Sequence, residues 1–142
     1  MFTSKCSSRL AMVAIAIIAF AGYAHAGRVT VHNNSKDEVY FAFVFYDYQK
    51  KDFYIRAWFK VPPGEKKYWN FNIAPDRKFY WYGKTYDGKR YWPGKGNHRQ
   101  SIINKPMNMK ASVVKTYADA KVVLFSTRET DKEGNITIKV GN

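Results

Sequence analysis

The residues with the clearest capacity for chemistry lie in a basic and aromatic segment, residues 77–99. It contains seven Lys or Arg residues against one acid, Asp87, and seven aromatic residues lie among the cations. Aromatic rings stack on sugars or bases, and neighbouring cations bind phosphate or carboxylate groups. The segment therefore predicts a binding surface for an anionic ligand. Its candidate contact residues are Tyr80, Tyr82, Lys84, Lys89, Arg90, Tyr91, Trp92, Lys95 and Arg99.

The strand that contains the first of these rings has two faces with different expected roles. Alternation along an extended chain places Tyr80, Tyr82 and Lys84 on one face, the expected binding face. Phe79 and Trp81 then point the other way, into the core. The alternative for the tyrosines is a cross-strand ladder, and for any single strand ring this packing role is the more frequent one.

The pair at residues 91–92, Tyr-Trp, stands at the start of a loop rich in Pro and Gly, residues 93–97. Such a loop is a poor place to bury two rings, and loops more often contain functional residues than strands do. We therefore expect both rings to be available to a ligand.

Catalysis and metal binding have weaker support. Residues 27–142 contain two histidines, His32 and His98, and no cysteine. His98 precedes Arg99, whose charge disfavours a second positive charge, and no carboxylate close in sequence orients the imidazole. Four aspartates lie in predicted turns, where Asp bonds local backbone. They are Asp47, Asp52, Asp76 and Asp87. We predict no catalytic residue, no metal site and no cofactor.

The first 26 residues have the layout of a secretory signal peptide. Lys5 and Arg9 precede an apolar run at residues 10–21, and Ala-His-Ala at residues 24–26 offers small residues to a signal peptidase. The run is shorter than the roughly 20 apolar residues of a membrane-spanning helix. We expect cleavage between Ala26 and Gly27, release to the periplasm or the exterior, and no transmembrane segment in the remainder.

The remaining 116 residues are expected to form a single β domain, residues 27–142, and 22 of them are Phe, Tyr or Trp. Buried aromatic rings each remove about 150–250 Å² from water, which offsets the absence of disulfides. The whole chain has a net charge of +13, and removal of Lys5 and Arg9 with the leader leaves +11. Such a charge attracts polymers that contain phosphate or carboxylate groups.

Short runs of β-branched and aromatic residues between turn signals predict an all-β fold. Residues 28–33 and 136–140 alternate apolar and polar side chains, whereas residues 38–48 look buried on both faces. The Pro-Pro-Gly-Glu turn at residues 62–65 is expected to join its two flanking runs in a hairpin, with positive φ at Gly64.

Later in the chain, Asp87-Gly88 predicts a second hairpin. Residues 105–111 are ambiguous, and residues 113–117 fit a strand or a short helix. The predicted fold is an antiparallel β-sandwich or small barrel, with at most one short helix in the C-terminal third.

Six short motifs follow one another in a recognisable order: Asn33, Ala42, Ala57-Trp58, Pro63-Gly64, Phe79-Tyr80-Trp81-Tyr82 and Trp92-Pro93-Gly94. In this order they resemble the DUF1036 family of uncharacterised exported bacterial domains, over about residues 28–101. The family pattern often has cysteines where this chain has His32 and Lys66. The resemblance implies a compact exported β domain and supplies no activity.

These observations favour a non-catalytic exported domain that binds an anionic envelope polymer or an acidic protein through residues 77–99. Export argues against nucleic acid as the partner. One alternative is a small secreted hydrolase. Another is a structural component of an envelope assembly that adds an edge strand to a partner.

The leader prediction is tested by mass spectrometry of the protein isolated from the periplasm or the medium. We expect a chain that begins at Gly27. An intact N-terminus at Met1 in the membrane fraction would contradict the prediction.

Overall fold

The computed structural model describes residues 26–141, so the predicted signal peptide lies outside the described residues except for Ala26. Within this range the chain forms ten strands and a 3₁₀ helix. The elements are β1 (Gly27–Asn34), β2 (Val39–Asp47), β3 (Asp52–Val61), β4 (Lys66–Phe71), β5 (Lys78–Lys84), β6 (Tyr91–Trp92), β7 (His98–Ile102), β8 (Met107–Lys110), the 3₁₀ helix (Ala111–Thr116), β9 (Lys121–Glu129) and β10 (Ile136–Gly141). No helix among residues 26–141 is long and apolar enough to cross a bilayer.

Two sheets pack as a sandwich, which confirms the predicted fold class. The smaller sheet has the order β10-β1-β4, and its β1–β10 pair is parallel. The larger sheet has the order β7-β9-β5-β2-β3-β8, with β6 added beside β5, and all its pairs are antiparallel. It curls into a half-barrel. The 3₁₀ helix contacts both edge strands, β7 and β8, and so lies across the open side of the curl.

Strand β2 lies at the centre of the fold and is buried on both faces, as its uncharged sequence predicts. Phe41, Phe43 and Phe45 point into the core between the two sheets. Ala42 and Val44 point the other way, into a second core inside the half-barrel. The period of two along this strand therefore divides its side chains between two separate cores.

The predicted hairpin around residues 62–65 is wrong, although its turn is present. Gly64 has φ of 74° and Glu65 N–H donates to the Pro62 carbonyl at 3.2 Å. However, β3 pairs with β2 and β8, whereas β4 pairs with β1 in the other sheet. The turn therefore crosses the sandwich. Aromatic residues of the two runs meet in the core between the sheets, where the tilted rings of Phe59 and Trp69 have centroids 5.0 Å apart.

A buried asparagine holds this crossing turn. The Asn33 side-chain amide donates to the carbonyls of Asp37, Val61 and Pro62 at 2.8–3.2 Å. Its Oδ1 accepts from the backbone N–H and the hydroxyl of Ser35. The Asn33 backbone also accepts from Gly64 N–H and donates to the Glu65 carbonyl. Asn33, at the end of β1, thus provides hydrogen-bond partners for backbone groups of the turn that follows it and of the turn between β3 and β4. We call this set of hydrogen bonds the Asn33 lock.

The later elements resolve the remaining expectations. The Asp87-Gly88 hairpin is confirmed, because β6 pairs with β5 and Gly88 has φ of 73°. The ambiguous residues 105–111 include the short strand β8, and residues 113–117 lie mostly in the 3₁₀ helix.

The Asn33 lock predicts a large stability effect from a small substitution. Asn33→Ala removes a buried amide and leaves the carbonyls of Val61 and Pro62 without their side-chain donor. We expect a loss of about 3 kcal/mol in the free energy of unfolding, measured by urea denaturation. Asn34→Ala, at the exposed neighbouring position, is the control and is expected to change it by less than about 0.5 kcal/mol. Equal midpoints for the two variants would contradict the role given to Asn33.

Candidate functional site

The candidate residues of β5 point into the half-barrel, as alternation predicts, but that face is largely covered. Tyr82 and Lys84 are 5% and 8% exposed, so neither belongs to an open surface. The reason is the curl of the sheet, which brings β9 and β3 around this face. Tyr82 stacks on Phe125 with centroids 5.5 Å apart. Tyr80 is half-buried and stacks on His98 at 3.8 Å.

The two rings of β6 have different environments. Tyr91 is exposed and lies nearly parallel to Tyr82, 6.4 Å away. Trp92 is half-buried against the core between the sheets, and the Arg90 guanidinium lies 5.2 Å from its ring centroid. The expectation that both rings are freely available is therefore wrong for Trp92, because pairing with β5 turns alternate side chains to opposite faces.

The remaining candidate cations are all exposed, but they do not converge. Lys89 and Arg90 line a cleft beside the β5–β6 turn. Arg99 lines a different pocket, and Lys95 lies in the loop between β6 and β7. The candidate residues 77–99 therefore do not form one surface but are distributed among several pockets and a loop. Lys84 lines a pocket of its own, apart from the other candidate cations.

We call this place the Lys84 pocket. It has a volume of about 480 Å³ and is lined by Tyr40, Trp58, Lys84, Tyr86, Asn104 and Pro106. Of these six residues, only Lys84 belongs to the candidate contact residues predicted from the sequence. The others come from β2, β3, the β5–β6 turn and the loop after β7. Pairing of Tyr40 with Lys84 across β2 and β5 brings the first of these rings beside the lysine.

The Lys84 residue is buried and its ammonium is part-buried, with no counter-ion among residues 26–141. Its Nζ donates to Asn104 Oδ1 and lies 4.8 Å from the centroid of the Trp58 ring. Among residues 26–141 no carboxylate forms an ion pair with it. Burial lowers the pKa of Lys84, and the nearby positive charge of Lys121 lowers it further. A neutral amide and an aromatic face are weak substitutes for an anion, because burying an unpaired charge is costly.

The aromatic walls of the pocket are held in place to different degrees. Trp58 Nε1–H donates to the Ile103 carbonyl at 3.0 Å, which fixes the indole. The Tyr40 hydroxyl donates to Glu38 Oε1 at 2.8 Å, and this hydrogen bond raises the pKa of Tyr40. Tyr86, in the β5–β6 turn, is 85% exposed and lies 6.0 Å from Tyr40. Trp58 and Tyr40 are therefore each held by a hydrogen bond, whereas Tyr86 is mostly exposed to solvent.

A second cleft adjoins the Lys84 pocket and shares Tyr40 and Tyr86 with it. We call it the Arg90 cleft; its volume is about 460 Å³. Its other lining residues are Asp37, Glu38, Thr85, Asp87, Lys89 and Arg90. Arg90 forms an ion pair with Asp37. The cleft has acids, cations and a hydroxyl close together, unlike the Lys84 pocket, where the one charge is positive.

A third pocket, of about 300 Å³, contains the histidine that catalysis would need. Burial lowers the pKa of His98, so its imidazole is biased toward the neutral form. Asp52 and Ser112 line the same pocket. No side-chain hydrogen bond links either of them to His98 in the part of the chain that the structure describes, and the imidazole lies flat on Tyr80 instead. The pocket therefore shows no hydrogen-bonded nucleophile–base pair at His98 among the described residues.

Comparisons with protein-family models, curated proteins and solved structures find no match to the chain. The resemblance to the DUF1036 family therefore stays a prediction. Function has to be argued from the side chains of the pockets, and the Lys84 pocket offers the clearest chemistry.

An uncompensated Lys84 charge predicts a gain in stability when it is removed. We expect Lys84→Met to raise the free energy of unfolding by about 1 kcal/mol at pH 7, because it keeps the alkyl chain and removes the buried ion. Lys132→Met, in the exposed β9–β10 turn, is the control and should change little.

The pH dependence supplies a second readout. Since burial lowers the folded-state pKa of Lys84 below its ordinary value of 10.5, the unfolded chain binds more protons between the two values. Wild-type stability should therefore rise with pH relative to Lys84→Met in that window. The contrary result is a wild type that is more stable than Lys84→Met at pH 7, with a stability difference that does not change as the pH rises. It would show that the charge of Lys84 is already compensated.

Proposed function

We propose that the protein is an exported, non-catalytic binding domain for an anionic polymer of the cell envelope. One acidic group of the polymer binds in the Lys84 pocket. The observation on which this rests is a 92%-buried lysine, 8% exposed, that faces an aromatic pocket without a carboxylate partner among residues 26–141.

The pocket has the composition of a ligand site. It combines three aromatic walls with two polar groups, Lys84 Nζ and the Asn104 amide, and its volume lies within the usual range of about 300–1,000 Å³. A ligand anion next to Lys84 would restore the counter-ion that the free protein lacks, so the free energy cost of burying the ammonium falls on binding.

The charge of the domain supports the same class of ligand. The net charge of +11 for residues 27–142 attracts an extended polyanion at long range, whereas the Lys84 pocket selects at contact. Export through the predicted leader, to the periplasm or the exterior, brings such a domain to envelope polymers. An acidic protein partner is distinguished from a polymer by the test below.

The test is a titration of the protein isolated from the periplasm or medium with lipopolysaccharide, cell-wall fragments and envelope extract. Trp58 lines the pocket, so its fluorescence is expected to change on binding. Affinity should fall steeply as salt rises, and Lys84→Met should lower it at least tenfold while Lys132→Met leaves it within about twofold.

Binding that survives Lys84→Met would overturn the assignment of the pocket. Protease treatment of the extract separates the two partner classes, because it abolishes binding to an acidic protein and spares a polysaccharide. Strand addition by an envelope assembly would show little dependence on salt.

A further inference from the structure

The geometry of the two adjoining pockets points to a more specific ligand. We infer that the domain binds an oligosaccharide with a carboxylated sugar in the Lys84 pocket and a neutral sugar next to it in the Arg90 cleft. This rests on the proposed function, since it names the ligand of the same site.

The polar groups of the Lys84 pocket match one carboxylate. Lys84 Nζ donates to Asn104 Oδ1, and the Nδ2 group of the exposed Asn104 donates to no other group among the described residues. The ammonium and the amide N–H₂ group are therefore both donors available to the oxygens of a carboxylate. Lys84 is the one cation that lines the pocket, so a carboxylate of charge −1 is sufficient to balance it.

The walls of the pocket match a sugar ring. Trp58 donates to the Ile103 carbonyl and Tyr40 donates to Glu38, and both rings provide aromatic surface in the lining of the pocket. Tyr86 is 85% exposed on a tight turn, where little of the protein buries its ring. A pyranose whose carboxylate is attached directly to the ring places the charge and the stacking surface within one pocket. A polyglycerol phosphate chain lacks that ring.

The Arg90 cleft calls for a different neighbour. Asp37, Glu38 and Asp87 outnumber Lys89 and Arg90 there, and Arg90 is already paired with Asp37. A second carboxylate would meet this negative excess. The hydroxyl groups of a neutral sugar can donate to the aspartates and to Thr85 Oγ1. Because the two clefts share Tyr40 and Tyr86, the two sugars would be consecutive units of one chain.

The experiment uses isothermal titration calorimetry with free glucuronate and four defined oligomers. They are a tetrasaccharide of alternating glucuronate and N-acetylglucosamine, tetragalacturonate, neutral chitotetraose, and polyglycerol phosphate. We expect the alternating tetrasaccharide to bind at least tenfold more tightly than each of the others, and free glucuronate at least tenfold more weakly than the tetrasaccharide.

Two variants test the assigned contacts, and a third is a control. Tyr86→Ala should weaken the alternating tetrasaccharide about ten- to hundredfold, the loss typical of one stacking ring, while Tyr117→Ala, at another exposed tyrosine, should not. Asp37→Asn frees Arg90 for a second carboxylate, so the preference for the alternating probe over tetragalacturonate should shrink at least fivefold.

The outcomes separate this inference from the proposed function. If polyglycerol phosphate binds as tightly as the alternating tetrasaccharide and Lys84→Met abolishes both interactions, the carboxylated sugar is wrong and the anion-binding pocket is retained. Equal affinity for free glucuronate and the tetrasaccharide overturns the second subsite. If envelope extract binds through Lys84 and none of the saccharides does, the inference is wrong and the proposed function is retained. If neither binds, both are wrong.

Discussion

The Asn33 lock is the interaction on which the arrangement of both sheets depends. Its side chain is fully buried and its hydrogen bonds reach three separate stretches of backbone, at Ser35–Asp37, Val61–Pro62 and Gly64–Glu65. The Val61 carbonyl and Asn33 Oδ1 are buried polar atoms, and each would cost about 1–3 kcal/mol if it lost these hydrogen bonds. The end of β1 is thereby tied to the turn where the chain leaves the large sheet and enters the small one.

This tie also explains which part of the fold the sequence could predict. Local patterns identify β1, β2, β10 and the β5–β6 hairpin, because alternation and turn chemistry are properties of neighbouring residues. They also identify β3 and β4 as strands but give them the wrong partners, since a turn that closes a hairpin and one that crosses a sandwich use the same Pro-Gly chemistry. The difference lies in a distant residue, Asn33, which takes up the backbone groups of the turn.

The candidate site shows the same limit. The basic and aromatic composition of residues 77–99 led to Lys84, but it gave no sign of the partners from β2, β3 and the loop after β7. Tyr40 and Trp58 read as ordinary strand aromatics, and Asn104 as an ordinary loop residue. Their meeting depends on register and on the curl of the large sheet, neither of which a local pattern contains. The same curl buries Tyr82, which alternation along β5 had placed on the expected binding face.

The parallel pairing of β1 with β10 has a consequence for how the protein reaches this structure. The hydrogen bond from Arg28 N–H to Asn135 Oδ1 joins residues 107 positions apart, and the Val29–Asn34 segment pairs with the last strand described. Contacts between remote parts of a chain form slowly, because the loop must close before they contribute. The small sheet therefore cannot be completed until residues 136–141 have paired with β1. During synthesis β1 stays unpaired on the β10 side until β10 emerges, and until then the inter-sheet core lacks one of its covers.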